Sequence, residues 1–76
     1  MKLKSFKQHQ DYRFTLIFEN GEVKETDLQP LIGEYVDLPS LNSARIDEEW
    51  GCLEFKNGTV DIEPQTLYRF DNKRRE

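Results

Sequence analysis

The chain has 76 residues, a formal net charge of −4 and one cysteine. Such a length allows a single domain near the small end of what folds alone, burying only roughly 60% of the surface its unfolded chain exposes. One cysteine excludes an internal disulfide, and with one histidine beside it a structural zinc site lacks its usual ligands.

The core must therefore carry the stability, or a partner must add to it. Five Phe, three Tyr and one Trp supply it, each able to bury about 150–250 Å². No apolar run approaches the roughly 18 residues of a membrane span. The N-terminus carries lysines but no apolar stretch of the kind a signal peptide needs. A soluble, cytoplasmic protein is expected, with no membrane segment.

Charge is uneven along the chain. Residues 1–18 sum to +3, residues 19–63 to −9 and residues 64–76 to +2. The acidic middle repels phosphate backbones, which counts against nucleic acid as a partner. Basic ends lying together would form one small cationic face. The bland reading is that they are solvated ends.

Leu3 to Gln8 opens the chain. Leu3 and Phe6 are out of step for period two, so the segment reads as an edge strand with a bulge, its lysines discouraging edge pairing. After a polar turn, Tyr12 to Glu19 is the clearest strand. Tyr12, Phe14, Leu16 and Phe18 share one face, and the other face is largely wet. That pattern predicts an antiparallel sheet with one covered face. Asn20-Gly21 turns the chain, and Glu22 to Thr26 returns with Val23 as its main apolar residue.

Asp27 to Gly33 reads as a helical turn, capped by Asp27 and closed by Gly33 in the left-handed conformation. Glu34 to Ser43 is a loop whose Tyr35, Val36, Leu38 and Leu41 tuck against the sheet, with one helical turn after Ser40. Ala44 to Glu48 is a strand with Ala44 and Ile46 inward, and Glu49-Trp50-Gly51 is its turn. Cys52 to Lys56 follows, with Leu53 and Phe55 inward. Asn57-Gly58 then predicts a type I′ hairpin, because both of its central residues need positive φ. Thr59 to Ile62 returns. A final helix begins near Pro64, which suits a first turn where the missing N–H is no loss. It carries Leu67, Tyr68 and Phe70 toward the core. Its basic tail, Lys73, Arg74 and Arg75, suits the helix dipole.

The chain echoes itself. Phe18 to Val23 and Phe55 to Val60 both read Phe-x-Asn-Gly-x-Val, and each leads into Asp-x-x-Pro, at Asp27 to Pro30 and at Asp61 to Pro64. Either common descent or the shared physics of hairpins and helix starts produces this.

These residues resemble the bacterial family catalogued as "domain of unknown function 2442". Its pattern is an aromatic strand running into Asn/Asp-Gly, then Asp-Leu-x-Pro-Leu, then a strand into Trp-x-Asn-Gly, then Asp-Leu/Ile-x-Pro-x-x-Leu-Tyr. Phe14 to Gly21, Asp27 to Leu31, Leu53 to Gly58 and Asp61 to Tyr68 look like these four segments, in the same order. Phe55 stands where the family usually has Trp. The stretch Pro39 to Ser43 is short and polar where the family has an apolar helical segment. The resemblance implies a small α+β fold and no assigned activity. It also implies an accessory or partner-binding role, because some relatives are joined to helix-turn-helix domains or encoded in toxin–antitoxin-like pairs.

No residue set points to catalysis. His9 sits between two glutamines in a turn, away from any evident nucleophile. Cys52 has no nearby cation to activate it and reads as a packing residue. Asp47-Glu48-Glu49 lacks the alternating ligand spacing of a calcium loop and reads as an acidic turn. Asp27 and Asp61 read as N-caps rather than an acid–base pair. Neither a metal nor a cofactor is expected.

The expected fold is α+β: one domain over residues 1–76, mainly antiparallel, from two β-hairpin units with short helices and a C-terminal helix. The expected function is a non-catalytic protein-interaction or regulatory accessory, antitoxin-like by resemblance. Trp50, Leu67, Tyr68 and Phe70 are its candidate interface, because surface aromatics mark contacts. The expected partner is an unidentified protein, with homodimerisation through an edge strand as one form of it. The alternative is a nucleic-acid accessory using the two basic ends.

Overall fold

The structure, a computed structural model, describes residues 1–70. It is α+β, with its strands divided into two three-stranded antiparallel sheets. The first contains β1 (Leu3–Gln8), β2 (Arg13–Phe18) and β3 (Val23–Asp27), in the order β1-β2-β3. The second contains β4 (Arg45–Ile46), β5 (Leu53–Phe55) and β6 (Val60–Ile62), in the order β4-β5-β6. A short helix follows each sheet: α1 (Gln29–Ile32) and α2 (Pro64–Arg69). Both halves therefore run strand, strand, strand, helix, and the echo in the sequence falls on equivalent places in the two. A 3-10 turn at Leu38–Ser43 joins them.

One core serves both sheets. Tyr12, Phe14, Leu16 and Phe18 are all buried, as their alternation predicts. Leu53 and Phe55 meet them from β5, with the Phe55 ring edge-on to Phe14 at 6.1 Å. The break in β1 is real. The pairing shifts between Leu3 and Ser5, so Leu3 is buried and Phe6 reaches Phe14 at 6.0 Å although the two are three residues apart. The loop after α1 contributes Val36 and Leu41. It is pinned by the Tyr12 hydroxyl donating to the Val36 carbonyl at 2.6 Å. Asp37 caps the 3-10 turn by accepting from Ser40 N, and that bond holds its carboxyl below the usual range.

Several expectations need correction. Tyr35 and Leu38 do not tuck inward; both are exposed. Val23 is 61% exposed. Its register places it opposite Ile17, while Lys24 and Thr26 stand opposite Leu16 and Phe14 on the inner side. The length of the β2–β3 loop sets that register, and a one-residue difference exchanges the faces. Gly33 is right-handed, at φ −60° and ψ −25°. The N-cap of α1 is Leu28, without a side-chain cap bond, and Asp27, one residue earlier, accepts at Oδ1 from Gln29 N at 3.0 Å. Asp61 caps nothing; it lies in β6 opposite Glu54, and Glu63 precedes α2 without a side-chain cap bond.

The two Asn-Gly turns also differ. At Asn20-Gly21, Gly21 N donates to the Phe18 carbonyl and Gly21 takes φ +91° while Asn20 does not turn left-handed. That is a type I turn followed by a left-handed glycine. At Asn57-Gly58, three successive residues are left-handed: Lys56, Asn57 and Gly58. Two overlapping turns result, Gly58 N donating to Phe55 O and Thr59 N to Lys56 O. A lysine in this region is strained. Tertiary bonds hold it, with Lys56 N donating to Ser43 Oγ at 2.8 Å and its ammonium to the Tyr35 carbonyl at 3.1 Å.

Candidate functional site

The β4–β5 turn builds the most exposed aromatic of the protein. Asp47 N donates to Cys52 O at 2.9 Å, and Gly51 N returns to Asp47 O at 2.7 Å. Asp47 Oδ1 also accepts from Glu49 N at 3.1 Å. The acidic run is therefore a self-bonded turn, as its sequence predicts. Gly51 is required there. It has φ +73°, and a Cβ in its place would lie 2.4 Å from Cβ of Lys2. Leu3 N donates to Gly51 O at 3.2 Å, tying the start of β1 to the turn. With the backbone so closed, Trp50 is left 65% exposed.

Trp50 borders a cleft of about 510 Å³. Met1 and Lys2 line it from the N-terminus, Asp47 and Cys52 from the turn, Asp61 and Glu63 from β6 and its end, and Pro64 and Gln65 from α2. Asp61 and Glu63 also line a second cleft of about 380 Å³, with Tyr35, Leu31, Ile32 and Thr66. The two most exposed aromatic side chains, Trp50 and Tyr35, thus lie on clefts that share a pair of carboxylates.

Cys52 is buried beside the first cleft, free of any disulfide. Burial pushes its thiol pKa up, and the charges of Asp61, Asp47, Glu63 and Glu54 push it further. It is no activated nucleophile. His9 Nε2 lies 2.7 Å from Thr15 Oγ1. Among the described residues, no three His, Cys, Asp or Glu side chains come together as a metal site. No helix among them is long and apolar enough to cross a membrane.

The other sequence-derived interface residues lie elsewhere. Leu67 is wholly buried and presents no surface. Tyr68 and Phe70 are half-buried against the core and line neither cleft. The Tyr68 ring stands edge-on to Phe18 at 5.3 Å, and the Glu22 carboxylate beside its hydroxyl raises its pKa. Lys73, Arg74 and Arg75 lie outside the described residues. Sequence reasoning missed Asp61 and Glu63 as cleft residues, while Tyr35 belongs with Trp50 and Tyr68 among the aromatics whose exposure would mark a contact. A signal for the first two exists: period two along Val60 to Glu63 puts both opposite the buried Ile62.

Over residues 3–73 the chain matches the family described as "Protein of unknown function (DUF2442)". The chain belongs to this family. No curated protein matches it, and no solved structure does. The family's four motif segments fall on β2 and its turn, on α1 with its approach, on β5 and its turn, and on β6 with α2. They are the hairpin and helix-start pieces of the two halves.

Proposed function

We propose that this family member is a non-catalytic protein-interaction module, with the Trp50 turn and its cleft as the contact surface. The observation that carries this is a tryptophan 65% exposed on a backbone-locked turn, beside a cleft. A large aromatic held rigidly in water gives contact area at low entropic cost to a partner that covers it. The antitoxin-like regulatory role implied by the family resemblance is the finer part of the same proposal. So is a partner that is a second copy of the chain.

The test is affinity capture by the tagged protein from its own cell lysate, repeated with Trp50→Ala. The variant keeps its circular dichroism spectrum and loses the bound protein. An equal capture by the folded variant removes Trp50 from the contact. If the captured material is nucleic acid released by salt, the interaction reading fails and the basic ends are the surface.

A further inference from the structure

The chemistry of the Trp50 cleft restricts what it can bind. Its wall carries three carboxylates, Asp47, Asp61 and Glu63, against the Lys2 side chain and Met1 with its α-amino group. Its apolar parts are Trp50, Pro64, Met1 and Cys52. Among the described residues, the cation lying over an aromatic ring is Lys24, over Tyr68. The indole face of Trp50 is therefore not occupied by a cation of the described chain. A fully apolar occupant would desolvate the carboxylates without pairing them. An anionic one, such as a phosphate or a nucleic acid backbone, would be repelled.

Resting on the interaction reading above, we propose that the cleft binds an arginine side chain from a basic peptide segment of the partner. The guanidinium stacks on the Trp50 indole while the carboxylates of Asp61 and Glu63 accept its N–H groups. Arginine fits better than lysine, because its planar, weakly hydrated guanidinium stacks on an aromatic face and donates through several N–H groups at once. A strongly hydrated ammonium gains less there.

A second observation extends the surface. Asp61 and Glu63 also line the neighbouring cleft that Tyr35 borders, so the same carboxylates separate two exposed aromatics.

The full chain is titrated with a hexa-arginine peptide and, separately, with hexa-lysine, following tryptophan emission. Trp50 is the one tryptophan, so the signal comes from the site itself. Hexa-arginine shifts the emission saturably, and hexa-lysine binds at least about threefold more weakly. The double variant Asp61→Asn, Glu63→Gln weakens hexa-arginine by about tenfold. A control with the same charge change elsewhere, Glu19→Gln with Glu25→Gln, costs less than about twofold.

Equal affinity for the two peptides overturns the proposal, as does an unmoved emission. So does an equal loss from the control variant, which reduces binding to net charge. If hexa-arginine fails while Trp50→Ala abolishes partner capture, the interaction reading stands and the arginine chemistry is wrong. If both fail, both readings fall.

Discussion

The Lys24 ammonium donates to the backbone carbonyl of Tyr68 at 2.5 Å and lies 5.7 Å from the centroid of the Tyr68 ring. One lysine on β3 thus holds the last turn of α2, meeting both an orphan carbonyl and an aromatic face. Helix C-termini favour such cations, because their final carbonyls lack intrahelical partners. Lys24→Met keeps the length and apolar stem of the side chain and removes both contacts. It should lower stability by about 1 kcal/mol. Urea unfolding measures this as a lower midpoint with an unchanged slope.

Thr26 stands beside it on the inner side of β3, with its hydroxyl oxygen buried and without a hydrogen-bond partner. A buried, unsatisfied hydroxyl costs free energy that a methyl group does not. Thr26→Val keeps the shape and the β-branch. The variant should be more stable by about 1 kcal/mol, read from the same unfolding curves.

Gly51 and Gly21 both have positive φ, but only Gly51 is crowded. A Cβ at Gly21 meets nothing within 4 Å, whereas at Gly51 it meets the Cα of Lys2 at 2.8 Å as well as its side chain. Gly21→Ala should cost about 1 kcal/mol, the backbone strain alone. Gly51→Ala should cost more, because the start of β1 must move and its bond to Gly51 O is lost. Comparing the two midpoints separates strain from close approach.

The Cys52 thiol makes stability fall at alkaline pH. Its pKa in the folded protein is raised above the reference value of 9.0. Between the two values the unfolded chain has released the proton and the folded chain has kept it. Unfolding therefore becomes easier as pH rises through that window, and below it the contribution is complete. Cys52→Ser should flatten the alkaline limb of a stability–pH profile. Asp61→Asn removes a charge that opposes the thiolate and should speed reaction with a disulfide reagent in the folded state near pH 9.

Local signals were legible where one residue type sufficed. The period-two run from Tyr12 to Phe18 places its own core face. Pro64 marks the start of α2, and the misfit of Leu3 with Phe6 marks a bulge. Alternation alone does not say which way Val23 faces, and β3 has this apolar residue on the outer side with a lysine and a threonine on the inner. The pairing register overrode the residue's preference. The sequence makes Leu67 both a core and an interface residue, and the structure keeps only the first.

The order of strands and turns, the aromatic core and the acidic middle follow from neighbouring residues alone. These depend on side-chain period, backbone permission at glycine and proline, and the sum of charges, all properties of neighbouring residues. It took the folded chain to show that the two Asn-Gly turns differ, that Asp61 is a cleft residue rather than a cap, and that Trp50 lines one cleft with Asp61 and Glu63. The turns and the cleft depend on contacts between segments far apart in the chain: Lys56 with Ser43, and the start of β1 with Gly51. Such contacts form when the whole chain closes on one core, and no local window of residues specifies them.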